Sequence, residues 1–150
     1  MKATDLLKKQ HRQVEKLFKQ CEKTEDARQR RQFMEQIASA LRLHTKLEEE
    51  VFYPAVREIG SSKAEEMIDE AFEEHHVVDL VLAELPKVDP EDERFQAKMT
   101  VLSELVEHHV EEEEEEMFPM AEKKLGAERI KELGQKMEGM AGGPGQRRAA

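Results

Sequence analysis

Cysteine, tryptophan, tyrosine, glycine and proline are all scarce in this chain. One cysteine, Cys21, stands among 150 residues, with one tyrosine, no tryptophan, 7 glycines and 5 prolines. A single cysteine excludes an intrachain disulfide framework and fits a reducing compartment, so a cytoplasmic location is expected. Few glycines and prolines leave too little turn material for a β-sandwich. No apolar run approaches the ~18 residues that would span a bilayer. The opening MKATDLLKKQHRQVE has no apolar stretch of the kind a secretion signal carries. Basic charge is also short: 24 Lys and Arg face 34 Asp and Glu, for a net charge of −10. A non-specific binder of nucleic acid or anionic membrane needs a dense basic face, and none is evident.

What the chain has in quantity is charge and aliphatic carbon, 39% charged and 38% hydrophobic residues. That mixture suits long amphipathic helices in one domain. Local signals divide the chain into four of them. Thr4 or Asp5 can cap a first helix that runs to about Thr24, and a second runs from Asp26 to Tyr53. Ile59-Gly60-Ser61-Ser62 forms a break, and Ser62 with Glu65 reads as a capping box for a third helix ending near Leu85-Pro86. Asp89 before Pro90 reads as the cap of a fourth helix, which runs to about Met117. A short fifth helix is expected after Pro119, interrupted at Gly126. The fold expected is all-α: an up-down-up-down antiparallel four-helix bundle over residues 1–120, a short C-terminal helical extension over 121–138, and a flexible tail over 139–150.

Apolar residues recur in steps of three and four, the spacing of one helix face. The stripes are Leu7, His11, Val14, Phe18, Cys21; then Ile37, Ala40, His44, Leu47, Val51; then Ile68, Ala71, His75, Val78, Leu82; then Met99, Leu102, Val106, His109, Glu113. Each stripe contains one histidine. The chain also repeats. HRQVEKLF at 11–18 resembles HHVVDLVL at 75–82, and LHTKLEEEVFYP at 43–54 resembles HHVEEEEEEMFP at 108–119, with offsets of 64 and 65 residues. The repeat aligns His11 with His75 and His44 with His109.

One histidine on a core stripe is ordinarily a buried neutral ring with a backbone partner. Four converging at one level of a bundle are costly unless something pairs them, and a divalent cation does so. Each helix also carries a carboxylate four residues after its histidine, at Glu15, Glu48, Asp79 and Glu113. That step places both groups on one face, one turn apart. Glu49 and Glu114 follow on the second and fourth helices as further potential bridging carboxylates. Mixed nitrogen and oxygen donors suit iron, manganese or zinc, and carboxylates can bridge two such ions in a bundle core.

With these motifs in order, DLLKKQHRQVEKLF, LHTKLEEEVFYP, EEHHVVDLVLAEL and HHVEEEEEEMFP, the chain resembles the hemerythrin-like domains of the HHE cation-binding family over residues 5–119. The resemblance implies a non-haem site of two iron ions, carboxylate-bridged and with an oxo or hydroxo bridge, held by His11, His44, Glu48, His75, His109 and Glu113. Glu48 and Glu113 would bridge. Manganese or zinc are alternatives. The oxygen-carrying members have a further histidine four residues after the third-helix histidine and an aspartate five after the fourth; here those places hold Asp79 and Glu114. Asp79, Glu15 or solvent is expected to take the missing imidazole's place. The change argues against reversible oxygen carriage. It points instead to binding or reaction of a small oxidant (oxygen, hydrogen peroxide or nitric oxide), or to an iron-dependent sensing or iron-holding module without turnover.

Other residues receive plainer readings. His76 and His108 flank the stripe and are expected to be partly exposed. The acidic run 111–116 is expected to be a solvated face with Glu113 alone turned inward. Cys21 reads as a small buried residue. Phe52-Tyr53-Pro54 reads as a hydrophobic plug at the helix end in preference to Tyr53 tuning or reducing the site, with Phe118-Pro119 as its counterpart.

Overall fold

The computed structural model describes residues 1–142. All regular structure among the described residues is helical, with no strand. Helix α1 spans Ala3–Lys23 and α2 spans Ala27–Leu47. The second rod does not stop there. A wide turn at Glu48–Phe52 leads into α3 at Tyr53–Arg57. Helix α4 covers Ser62–Glu84 and α5 covers Glu93–Glu112. A second wide turn at Glu113–Met117 continues α5 into α6, Phe118–Leu125. Helix α7, Ala127–Ala141, completes the chain described. Among the described residues, no helix is long and apolar enough to cross a membrane.

The rod boundaries differ from the local signals in instructive ways. Asp26 caps α2 as expected, its side chain accepting from the Arg28 N–H at 2.8 Å. Helix α1 has no side-chain cap; Thr4 is buried and donates instead to Glu122 at 2.6 Å. Ser61, not Ser62, caps α4 by accepting from the Ala64 N–H. Asp92, not Asp89, caps α5, while Asp89 closes a turn by accepting from the Glu91 N–H at 2.9 Å. Where several cap-capable residues lie within four positions, tertiary packing decides which one takes the role.

Both rods also run through a proline. Proline lacks an N–H and its ring crowds the carbonyl four residues back. Pro54 and Pro119 each follow a wide turn, in which the Tyr53 and Phe118 N–H groups reach five residues back, to the carbonyls of Glu48 and Glu113. The five-residue reach is that of a π-turn, which admits one extra residue without ending the helix.

Two apolar clusters fill the bundle. One gathers Leu7, Leu47, Phe52, Ile68, Ala71 and Met117. The other gathers Val14, Leu41, Val78, Leu102 and Val106. Helix α7 belongs to the first, through Ile130, Leu133 and Met137. It lies on the N-terminal segment so closely that Gly134 has no room for a side chain: a Cβ there would sit 2.0 Å from the Met1 carbonyl oxygen. Gly126, at φ 85°, makes the corner between α6 and α7. Gly139, Met140 and Ala141 are helical, and residues 143–150 of the expected tail lie outside the described residues.

Candidate metal centre

On each of four helices one polar residue interrupts the apolar stripe between the two clusters. Leu7 and Val14 flank His11, Leu41 and Leu47 flank His44, Ala71 and Val78 flank His75, and Val106 lies one turn before His109. Packing both clusters therefore brings the four rings to one level. All four are buried, together with Glu48 and Glu113.

The rings meet in pairs. The Nε2 atoms of His11 and His44 lie 3.2 Å apart, and those of His75 and His109 also 3.2 Å apart. The carboxylates stand between the pairs. Glu113 turns one oxygen toward each: Oε1 is 3.2 Å from His11 Nε2, and Oε2 is 3.2 Å from His109 Nε2. Glu48 Oε1 lies 3.3 Å from His44 Nε2 and 3.0 Å from His75 Nε2. The donors fall into two groups, His11, His44, Glu48 and Glu113 on one side and Glu48, His75 and His109 on the other, which share Glu48.

Behind the rings, every Nδ1 has an oxygen partner. His11 Nδ1–H donates to Glu114 at 2.7 Å and His75 Nδ1–H to Glu49 at 2.7 Å. His44 Nδ1–H donates to the Gln10 side-chain amide oxygen Oε1 at 2.7 Å, and His109 Nδ1–H to Glu74 at 2.5 Å. Acceptors at Nδ1 fix the proton there and turn a bare Nε2 lone pair inward, as metal-ligating histidines require. Glu49 and Glu114, anticipated as further bridging groups, act instead on the outer side of the rings.

Tyr53 enters the same layer, contrary to the plug assigned from sequence. Its hydroxyl donates to Glu113 Oε2 at 2.6 Å and stands 3.0 Å from Glu48 Oε1 and 3.2 Å from both His75 and His109 Nε2. In a regular α-helix a residue five positions after Glu48 faces about 140° away. The wide turn swings it back. Phe118, at the equivalent place in the repeat, does act as a plug, stacking on His11 with centroids 5.8 Å apart.

These contacts are a test of whether a cation fits. Four Nε2 lone pairs, the carboxylate oxygens and a phenol oxygen converge, with one phenolic proton among them. Facing lone pairs repel. Glu48 Oε2 is buried with no hydrogen-bond partner at all, an expensive state for an acceptor. Divalent cations with nitrogen and oxygen preference answer both faults. Without them the charges must balance by protonation. Burial opposes charge on His11, His75 and His109, but neighbouring carboxylates outweigh it, chiefly Glu113 for His11 and His109 and Glu48 for His75, and raise all three, His109 well above the usual histidine range. Burial likewise works against the Glu48 charge, yet His44 and further hydrogen bonds hold its carboxyl well below the usual range. Burial, then Glu113 and Glu48, push the Tyr53 hydroxyl well above its ordinary value.

Two cavities adjoin the layer. A cavity of about 20 Å³ lies on the side of the second apolar cluster, between the four rings and Val14, Leu41, Val78 and Val106. Another, of about 170 Å³, reaches His109 and Glu113 past Glu70, Glu74, Glu112 and Glu116.

A family model described as the hemerythrin HHE cation-binding domain matches residues 2–121. The chain belongs to that family. A solved HHE domain protein from Mycobacterium kansasii superposes with a TM-score of 0.81, covering 99% of this chain and 89% of its own at 23% identity, which speaks to fold alone. A curated relative, a DNA nickase from Nostoc sp., is 27% identical over 133 residues, and this chain spans 37% of its length.

In this HHE domain the structure brings together all six residues named from the sequence. Glu15 and Asp79, considered as substitutes for the missing imidazole, stay out: Glu15 pairs with Arg12 at 2.6 Å and Asp79 is exposed. The phenol of Tyr53 lies on that side instead. His76 and His108 are exposed, and His108 pairs with Glu112 at 2.5 Å. Sequence reasoning set a role for Tyr53 at the site behind the plug reading, and it missed Gln10 and Glu74. The repeat held the signal for the last two, since each immediately precedes the first histidine of its half.

Proposed function

We propose that this HHE domain holds two iron ions between its helix pairs and that the ion pair binds or reacts with a small oxidant: oxygen, hydrogen peroxide or nitric oxide. The observation that carries the reading is the pair of donor groups sharing Glu48 beside a cavity of about 20 Å³. A space of that size admits a molecule of about water's dimensions and excludes organic substrates. Bound iron would supply electron-transfer chemistry to such a ligand. The protein's own part is then to keep that space apolar with Val14, Leu41, Val78 and Val106, and to hold a proton on the Tyr53 hydroxyl 2.6 Å from Glu113. The buried carboxylates and rings tie folding to metal, which also supports an iron-dependent sensing or holding role without turnover.

A cytoplasmic location belongs to the same reading. The DNA nickase activity belongs to a relative of which this chain spans 37%. With a net charge of −10, we infer that neither nucleic acid nor membrane is a partner of this domain.

Elemental analysis after anaerobic loading with ferrous iron and desalting tests the proposal. About two irons per chain are expected, with a visible spectrum that changes on adding peroxide or nitric oxide. His44→Ala and His109→Ala should each abolish the spectral response and lower the iron content. Retention of manganese or zinc in place of iron would overturn the iron assignment. A large metal-dependent gain in helicity without peroxide consumption would favour sensing.

A further inference from the structure

We propose that the two halves of this centre are unequal and that the His75–His109 half takes the first metal ion. The inference rests on the dinuclear reading above and goes beyond it, because it assigns an order of filling to the acceptors behind the rings and to Tyr53.

In the repeat, His11 corresponds to His75, His44 to His109, Glu48 to Glu113 and Glu49 to Glu114. Among the residues that touch the four rings, Gln10 stands opposite Glu74 and Phe118 opposite Tyr53, and these break the correspondence. Both exceptions face the site. In one half the ring acceptors are Glu114 and the neutral amide of Gln10. In the other they are two carboxylates, Glu49 and Glu74. A carboxylate behind Nδ1 makes Nε2 a stronger donor to a cation, and an amide does so much less. The second exception acts in the same direction. The Tyr53 oxygen lies 3.2 Å from both His75 and His109 Nε2, whereas the Phe118 ring beside His11 has no lone pair to offer.

Two further observations bear on the order. Glu48 and Glu113 each lie within 3.3 Å of a ring nitrogen in both pairs, so these distances do not assign them to one pair, although the tighter donor grouping places Glu113 with His11 and His44. The cavity of about 170 Å³ lined by Glu70, Glu74, Glu112 and Glu116 opens on His109 and Glu113, which sets an attractive field for a dication on that half.

The test uses the full chain labelled with nitrogen-15 at histidine and freed of metal by chelation. One equivalent of Co(II) is added and the residue-assigned imidazole signals are read for paramagnetic shifts. The signals of His75 and His109 should shift in about tenfold excess over those of His11 and His44, the lower end of what outer partners contribute to metal affinity. Equal shifts in both pairs, or His11 and His44 shifting first, would overturn the proposal. The exchange variant Gln10→Glu with Glu74→Gln should move the distribution toward His11 and His44 by about tenfold or more. An unchanged distribution there would show that the outer acceptors do not set the order. Should the double variant lose helicity, Gln10→Glu alone, at a partly exposed position, must narrow the preference. Saturating Co(II) separates the two readings. Fewer than two ions per chain counts against the dinuclear centre itself, whereas two ions filled evenly count only against the order.

Discussion

Each imidazole of the centre has one nitrogen tied to an oxygen acceptor and the other turned inward, and Tyr53 carries the one hydroxyl proton among the inward atoms. Replacing it isolates that proton's contribution. Tyr53→Phe keeps the ring and its stacking on His75, at 5.4 Å between centroids, but removes the donor to Glu113. Hydrogen bonds to charged groups contribute about 1.5–3 kcal/mol. Chelator-treated Tyr53→Phe should therefore lose about that much in urea denaturation, while its iron content after loading matches the parent, because all four histidines and both glutamates remain. A fall in iron content as large as that of His44→Ala would instead make the phenol an essential ligand.

At the level of elements, the wide turns and α7 do what the four stripes alone cannot. The turns carry each rod past its proline and, in the second rod, rotate Tyr53 into the site. Helix α7 covers the first apolar cluster and packs on the chain start, where Met1 also pairs its amino group with Glu138 at 2.7 Å. Gly134→Ala tests this packing. Alanine favours the helix by up to about 1 kcal/mol over glycine. Against that, the new Cβ would meet the Met1 oxygen at 2.0 Å and the Ala3 nitrogen at 2.7 Å, both backbone. Such overpacking costs about 1–3 kcal/mol, so the clash wins and the melting temperature should fall. A rise would mean that the N-terminal segment yields without cost.

Over the whole molecule, the buried charges make stability depend on pH in a way that metal reverses. His11, His75 and His109 are raised in the folded protein above the value of 6.5 expected when unfolded. Their contribution to the metal-free fold is complete below that value and is lost as pH rises through the higher folded values. Glu48 is lowered from 4.5, so its contribution is present above that value and is lost as pH falls through the lower folded one. Ligation needs unprotonated rings and therefore strengthens as pH rises. The gap in melting temperature between iron-loaded and chelator-treated protein should widen from about pH 6 to about pH 9. A constant gap would mean that the rings do not exchange protons for metal.

The six residues of the buried layer were legible from two sources. Steps of three and four put His11, His44, His75 and His109 on core stripes with a carboxylate four residues after each, and the resemblance to the HHE domains singled out Glu48 and Glu113 from those four carboxylates. The 64- and 65-residue offsets made the pairing of halves visible as well. What periodicity could not give was anything that depends on leaving it. Tyr53 lies five residues after Glu48, off the stripe of a regular helix, and only the turn forced ahead of Pro54 returns it to the layer. Gln10 and Glu74 lie beside the stripe, where a side chain's partner is chosen by the neighbouring helix and not by its own. Glu15 and Asp79 kept the right spacing yet face outward, since one helix face spans more than one turn position and packing decides which part is buried. The sequence thus determined the helices, their inner faces and the donor types. Tertiary structure alone decided which oxygen stands behind each ring and which aromatic residue reaches the donors, because both are contacts between elements whose relative rotation no single stripe specifies.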